Sequence, residues 1–175
     1  NGGVLAAGVH LGAVTFGTGE PNETTVPSRY SAYVAHYDVF GELVWVVQVA
    51  TSANQGLNDP RSIDAFPDGS CVLSGRFVGT AVFAEGEPEE VTLESPNNSY
   101  HIYHARLNAD GTLRWVRQVD GTSQDLPGPV ATYGNGNSIL AGRVSDTPVL
   151  FDTVILDGTS EVSFLATVRA NGELR

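Results

Sequence analysis

The chain has 175 residues, 41% of them hydrophobic and 17% charged, a balance that excludes intrinsic disorder and predicts a folded globular protein. Its 20 acidic residues outnumber nine basic ones, all arginines, and the formal net charge at pH 7 is −11. Nucleic acid and anionic membrane surfaces bind clustered positive charge, so this composition argues against both as partners.

From the first residue onward, short apolar runs alternate with turn residues, which predicts an all-β fold. No run approaches the roughly 18 apolar residues of a membrane-spanning helix, so we expect no membrane insertion. The first run, NGGVLAAGVHLGAVTF, has Gly8 at its centre, and the same pattern returns around Gly75 and Gly142. Each return comes 67 residues after the last, and a fixed period of this kind indicates internal repeats. A glycine within a strand usually marks a close backbone approach.

A second block follows each copy of the first and carries the two tryptophans. Residues 35–49 and 105–119 match at 7 of 15 positions, including Trp45 and Trp115. A third copy begins at position 166 and is cut at Arg175, one residue before the next expected tryptophan.

The middle copy predicts four strands joined by tight turns. These strands cover residues 62–66, 71–77, 100–107 and 113–119. Gly69 and Gly111 each follow an aspartate, and Asp-Gly supplies the positive φ that a tight hairpin needs. The stretches 17–29 and 84–98 are rich in Gly, Pro and acidic residues, so we expect loops there, the second with an edge segment beside it.

Four-stranded repeats of about 61 to 70 residues are typical of β-propeller blades with a generous loop. The sequence predicts nearly three blades: blade 1 over 1–59 without its first strand, a complete blade 2 over 60–125, and blade 3 over 126–175 with its last strand truncated. Propellers typically close with about 4 to 8 blades, so this chain alone closes no ring. We therefore expect a fragment of a larger protein, or a chain that pairs with others through open strand edges.

The pattern of Gly-Asn, a second glycine, a Phe-bearing strand and then Ala-x-x-x-x-x-Gly-x-Leu-x-Trp resembles the SBBP-type β-propeller repeats of bacteria. The residues that carry it are Gly134-Asn135, Gly142, Ala105, Gly111, Leu113 and Trp115, with the counterparts Gly8, Gly75, Ala35, Gly41, Leu43 and Trp45. The resemblance covers all 175 residues. Such repeats are common in exported proteins of GC-rich bacteria such as myxobacteria, so the resemblance implies a propeller fold and a secreted or cell-surface location, and it names no activity.

Two departures from that family pattern are visible, and one further likeness is weaker. The third copy shifts its aromatic residue by one place, to Phe151, and the first copy has Phe40 where the family favours a polar turn. The tryptophan block is also similar to the docking repeat of pyrroloquinoline-quinone enzymes. The aspartate usual there is replaced by Tyr37, Leu107 or Val168 in the three copies.

Candidate functional side chains have plain structural interpretations. Trp45 and Trp115, at matching positions, are expected to pack between neighbouring blades, with a ligand-stacking surface as the alternative. Cys71 replaces an apolar strand residue and is expected to be a packed thiol. His101 and His104 lie three apart on a strand and so point to opposite faces, which argues against one shared metal ion. His10 and His36 have no histidine counterparts in the other repeats.

The only dense acidic run comprises Glu85, Glu87, Glu89 and Glu90. Its oxygens could hold Ca²⁺, but calcium loops use alternating Asp or Asn and backbone carbonyls, so a solvated charged loop is favoured. Two Asn-x-Ser/Thr sequences, at residues 22–24 and 97–99, fall in predicted loops. No nucleophile elbow or phosphate-binding loop is present in the sequence, and we assign no catalytic, cofactor-binding or metal-ligating residue.

Three functions remain open from the sequence. The first is a non-catalytic extracellular or cell-surface module that binds a protein or glycan or acts as a scaffold. The second is a propeller enzyme, either a quinoprotein-like oxidoreductase or an enzyme acting on polysaccharides, whose active site would lie in a part of the protein outside these residues. The third is a structural assembly in which open blade edges pair between chains. The acidity, the repeats and the family resemblance favour the first.

Overall fold

The structure is a computed structural model that describes residues 2–27, 30–52, 58–95, 98–121, 124–145, 148–151, 154–158 and 161–175. The protein is all-β: 61% of the described residues lie in strands, and none of them forms a helix that could cross a membrane. In chain order, the strands are β1 (Val4–His10), β2 (Val14–Phe16), β3 (Thr24–Val26), β4 (Ser31–Tyr37), β5 (Leu43–Ser52), β6 (Asn58–Ala65), β7 (Cys71–Phe77), β8 (Thr80–Phe83), β9 (Val91–Glu94), β10 (His101–Leu107), β11 (Leu113–Asp120), β12 (Leu126–Thr132), β13 (Ser138–Val144), β14 (Val149–Phe151), β15 (Val154–Leu156) and β16 (Val162–Val168).

These strands pair antiparallel in several sheets, none of which closes on itself. Sheet 1 has the order β1-β4-β5-β8-β9, and sheet 2 has the order β15-β14-β11-β10-β7-β6. Sheet 3 has the order β12-β13-β16, while β2 and β3 form a separate hairpin. Strands β1, β7 and β13 occupy equivalent positions in the three repeats, because each carries the central glycine of its repeat.

Each repeat contributes strands to two sheets. In the second repeat, β6, β7, β10 and β11 follow one another across sheet 2, but the inserted hairpin β8-β9 pairs with β5 of sheet 1, with Phe83 opposite Ala50. The third repeat does the same, because β14 pairs with β11 and places Phe151 opposite Val119. Consecutive repeats are thus joined by backbone hydrogen bonds within one sheet as well as by side-chain packing between sheets.

The prediction of loops over 17–29 and 84–98 was wrong in part. Strands β3 and β9 lie within those stretches, where each forms one side of a hairpin. The strands are only three and four residues long, too short for an alternating pattern to stand out. Their acidic and glycine-rich neighbours belong to the hairpin turns.

The central glycines do mark close approaches, as predicted. Gly8 and Gly142 face aromatic rings across the sheet, and a Cβ there would lie 2.7 Å from Tyr33 Oη and 2.6 Å from the Phe164 ring. Gly75 faces Tyr103 in the same way. A side chain on any of these glycines would displace the ring, so the repeat requires glycine at this position.

The apolar core lies between successive sheets. The first interface, between sheets 1 and 2, contains Val34, Val49, Leu73, Phe77, Phe83, Tyr103 and Leu107. The second interface, between sheets 2 and 3, contains Val72, Ile102, Trp115, Val119, Leu140, Phe151 and Phe164. Strand β10 is buried along its whole length because its alternate side chains enter both interfaces. Sheet 2 is therefore the middle layer of the described structure.

The first strands of sheets 2 and 3 are also bonded directly to each other. Ser62 Oγ of β6 accepts a hydrogen bond of 3.1 Å from the Val130 backbone N–H of β12. Asp64 Oδ2 accepts bonds of 2.7 Å and 2.9 Å from the N–H and hydroxyl of Thr132. The side chains of β6 thus satisfy backbone donors on the neighbouring sheet.

Candidate functional site

The tryptophans join successive repeats. Trp45 Nε1 donates a 3.0 Å hydrogen bond to the Ala109 carbonyl, and Trp115 Nε1 donates one of 3.1 Å to the Ala170 carbonyl. Ala109 and Ala170 occupy the same place in the turns of the second and third repeats. The predicted packing between neighbouring repeats is confirmed. The indole N–H groups are satisfied by the protein itself, so these residues hold the repeats together.

His104 is a structural residue at the second interface. Its ring is fully buried, with Nδ1 3.2 Å from the Leu73 carbonyl and Nε2 3.1 Å from Ser138 Oγ. Burial lowers the pKa of His104 to about 4, so the ring is neutral at physiological pH. The carbonyl can only accept, so Nδ1 carries the proton and Nε2 accepts from the serine hydroxyl.

His101 is also buried, but its partners differ from those of His104. Ser99 Oγ lies 3.1 Å from its Nε2, and Gln118 Nε2 lies 3.3 Å from its Nδ1. The two histidines of the H-x-x-H sequence therefore have separate surroundings, in agreement with the prediction that their side chains point to opposite faces of the strand. Among the described residues, no three or more His, Cys, Asp or Glu side chains form a group that could hold a metal.

A serine–histidine pair lies on neighbouring strands of sheet 1, and no motif in the sequence indicates it. His10 Nε2 is 2.8 Å from Ser31 Oγ, and His10 Nδ1 is 2.8 Å from the Gly12 carbonyl. This is the hydrogen-bond pattern of a nucleophile with an oriented base. Ser31 is 0% exposed, however, and Gln48 also donates to its hydroxyl at 2.9 Å. A substrate cannot reach this oxygen, and the pair stabilises the sheet.

Cys71 is fully buried at the first interface. Burial raises the pKa of its thiol to about 12, so the reactive thiolate is not populated at neutral pH. The prediction of a packed thiol is confirmed.

The best candidate for ligand binding is an acid-rimmed cleft at the first interface. It encloses about 290 Å³ between β5, the turn of the β8-β9 hairpin and the turn that joins β10 to β11. Apolar side chains form its floor, namely Val47, Val49, Leu107 and Leu113. Carboxylates form its rim, namely Glu85, Glu87, Glu89 and Asp110. The cleft thus contains most of the acidic run found in the sequence.

The carboxylates of the rim differ in whether they accept hydrogen bonds from other groups of the protein. Glu85 accepts a 2.8 Å hydrogen bond from the Thr51 hydroxyl, and Asp110 accepts bonds of 2.7 Å and 3.1 Å from Thr112. The Thr112 bonds hold the pKa of Asp110 below its usual range, so that carboxyl is ionised at neutral pH. Within the described part of the chain, the exposed side chains of Glu87 and Glu89 make no hydrogen bond or ion pair. These two are the carboxylates available to a ligand.

The first repeat has an equivalent turn, and there the side chains at the corresponding positions already have backbone partners. Both turns contain Gly-Glu-Pro, and both have the same backbone hydrogen bonds, Glu20 N–H to Gly17 O and Glu87 N–H to Ala84 O, each 2.9 Å. In the first repeat, Glu20 accepts a 2.5 Å bond from the Leu43 N–H, and Asn22 donates one of 3.0 Å to the Leu43 carbonyl.

In the second repeat, Glu87 and Glu89 stand at the positions of Glu20 and Asn22, and Leu113 at that of Leu43. Neither glutamate bonds to Leu113, and the cleft stays open. Aligning the two Gly-Glu-Pro turns in the sequence would have identified this difference. The amide of Asn22, in one of the two Asn-x-Ser/Thr sequences, is occupied by its bond to Leu43, while Asn97 of the other lies outside the described residues.

Comparison with models of known protein families and with curated protein sequences found no match to this chain.

Proposed function

We propose that this chain is a run of β-propeller blades from an exported protein and that it is a non-catalytic binding module. Its ligand is a protein segment that carries basic and apolar side chains, and the binding site is the acid-rimmed cleft. The proposed location is extracellular or at the cell surface, where such a module presents its clefts to partners.

The propeller part of the proposal is supported by how the sheets follow one another. Successive sheets are packed face to face, each tryptophan bonds to a turn of the next repeat, and the first strands β6 and β12 lie side by side. Repeated antiparallel sheets with their first strands adjacent are the arrangement expected around a propeller axis.

One observation carries the binding part, namely two exposed carboxylates with no protein partner above an apolar floor. In the described structure, Glu87 and Glu89 are neutralised by no cation. The net charge of −11 further favours a cationic ligand. An arginine side chain fits such a site because its stem packs on apolar surface while the guanidinium pairs with carboxylates.

The test is a titration of the chain with the short peptide Gly-Arg-Leu-Arg-Gly, followed by calorimetry and by amide chemical shifts. Saturable binding is expected, with shift changes confined to Val47–Val49 and to the turns that line the cleft. The double variant Glu87→Gln/Glu89→Gln should weaken binding about threefold to tenfold, since each exposed ion pair contributes roughly 0.2–1 kcal/mol. Rising salt should weaken binding as well.

The control removes two carboxylates away from the cleft. Glu42→Gln/Glu161→Gln changes the net charge equally, so it should leave the affinity nearly unchanged. An equal loss in both double variants would mean that only overall charge attracts the peptide. Binding of Gly-Gln-Leu-Gln-Gly or of a neutral oligosaccharide with the same affinity would contradict a cationic ligand, and so would no binding at millimolar peptide.

A further inference from the structure

The second interface holds an arginine side chain at the place that corresponds to the acid-rimmed cleft. At the first interface, the cleft is lined by Val47 of β5 and by Gly111 in the turn that joins β10 to β11. In the aligned tryptophan blocks, Arg117 corresponds to Val47, and Gly172 corresponds to Gly111. Arg117 Nε donates a hydrogen bond of 3.2 Å to the Gly172 carbonyl. The chain thus contains one example of a guanidinium bound to this type of turn.

The two turns have the same conformation, so the carbonyl groups of their glycines occupy equivalent places. The Gly111 N–H donates to the Asn108 carbonyl at 3.0 Å, and the Gly172 N–H donates to the Arg169 carbonyl at 2.9 Å. Both glycines have a positive φ, 90° for Gly111 and 88° for Gly172. In the described structure, the Gly111 carbonyl accepts no hydrogen bond, whereas the Gly172 carbonyl accepts the bond from Arg117. The cleft therefore has the same acceptor without a donor.

Val47 and Arg117 contact the same side of their turns. A Cβ built on Gly111 would lie 3.0 Å from Val47 Cγ1, and a Cβ built on Gly172 would lie 3.3 Å from Arg117 Nη2. Valine is short and has no donor, so it packs against the turn without bonding to the carbonyl. The arginine of the second interface therefore indicates how a guanidinium from a ligand would lie in the cleft.

We propose that the Gly111 carbonyl accepts a hydrogen bond from an arginine of the ligand, and that the acid-rimmed cleft therefore selects arginine over lysine. This inference rests on the proposed function, because it names the group that the cleft recognises in a cationic segment. An arginine has five N–H donors on three nitrogens, so one nitrogen can bond to the carbonyl while the others face the carboxylates of Glu87 and Glu89. A lysine has a single nitrogen at the end of its stem and cannot divide its donors in this way.

Two peptides that differ only in their cations measure this selectivity. Gly-Arg-Leu-Arg-Gly and Gly-Lys-Leu-Lys-Gly are titrated separately into the isotope-labelled chain, and calorimetry gives both dissociation constants. The arginine peptide should bind about fivefold to tenfold more tightly, because it forms an additional charge-assisted hydrogen bond. The ¹³C resonance of the Gly111 carbonyl should move during the arginine titration and much less during the lysine titration.

The variant Val47→Arg tests the acceptor without a peptide, because it introduces into the cleft the arginine that the second interface has. The new guanidinium should bond to the Gly111 carbonyl, move its ¹³C resonance and abolish binding of the arginine peptide. The matched control Val47→Met lengthens the side chain without a donor, so it should move that resonance much less. Arg117→Met calibrates the measurement, because it removes the hydrogen bond to the Gly172 carbonyl. Thermal unfolding checks that each variant is folded.

The possible results separate this inference from the proposed function. Equal affinities of the two peptides would overturn the selectivity for arginine and leave a cationic ligand in the cleft. A Gly111 resonance that does not move on arginine binding, or that is the same in Val47→Arg and Val47→Met, would show that this carbonyl is not the acceptor. No binding of either peptide would contradict the proposed function and the selectivity together.

Discussion

Acidification should weaken this fold through His104, whose ring is fully buried between sheets 2 and 3. Burial lowers its native pKa to about 4, against 6.5 for an unperturbed histidine. Protonation therefore favours the unfolded chain, and the stability that depends on the neutral ring is present above pH 6.5 and lost as the pH falls toward 4. Proton linkage gives a loss, relative to pH 7, of about 2 kcal/mol at pH 5 and about 3 kcal/mol at pH 4.

The measurement compares the natural chain with His104→Gln, which keeps a side-chain amide for hydrogen bonding but does not titrate. Urea unfolding of both proteins between pH 7 and pH 4 gives the free energy of unfolding at each pH. The difference between the two proteins cancels the contributions of the carboxylates and of the other three histidines. This difference should shrink by about 2 kcal/mol between pH 7 and pH 5. A difference that stays constant over that range would refute the argument.

Two further predictions concern the core. Gly142→Ala should lower the free energy of unfolding by about 1–3 kcal/mol because its Cβ would overlap the Phe164 ring, while Gly12→Ala, with no atom within 4 Å, should change it by less than about 0.5 kcal/mol. Equal effects in urea unfolding would contradict the close approach at Gly142. The thiol of Cys71 should react with a disulfide reagent at pH 8 only as fast as the chain unfolds, and at once in denaturant. Rapid labelling of the native protein would show that the thiol is not packed.

The strands of the second repeat could be predicted well because their residues alternate between strong turn signals. Strand β7 was predicted at its observed bounds, and β10 and β11 were predicted to within one residue. The strand predicted over 62–66 begins four residues after the observed start of β6 at Asn58, and the missed part contains Pro60, which has no backbone N–H to pair. In the structure β6 is an edge strand with a register shift between Pro60 and Ser62, and such a position tolerates proline.

Apart from the tryptophan contacts, features that depend on partners far apart in the chain were not predicted. The pairing of β8 with β5 joins residues from different repeats, and nothing in the local pattern of either strand specifies the other. The contact between His10 and Ser31 likewise depends on the register of β1 with β4. The tryptophan contacts could be anticipated because a large apolar side chain that recurs with the repeat needs a recurring place to be buried.

Each repeat adds its hairpin to the sheet of the repeat before it, and this gives a row of repeats a direction. The β8-β9 hairpin completes the sheet before its own, and β14-β15 does the same one repeat later. The two ends of any such row are therefore unlike: one presents a hairpin, and the other presents the last strand of a meander. Contacts between unlike ends lead to head-to-tail growth, which stops only when the row curves far enough to meet itself. Deleting one repeat would also remove the hairpin that forms the outer strands of the preceding sheet. A change in the number of repeats must therefore leave each sheet with a hairpin from the repeat that follows it.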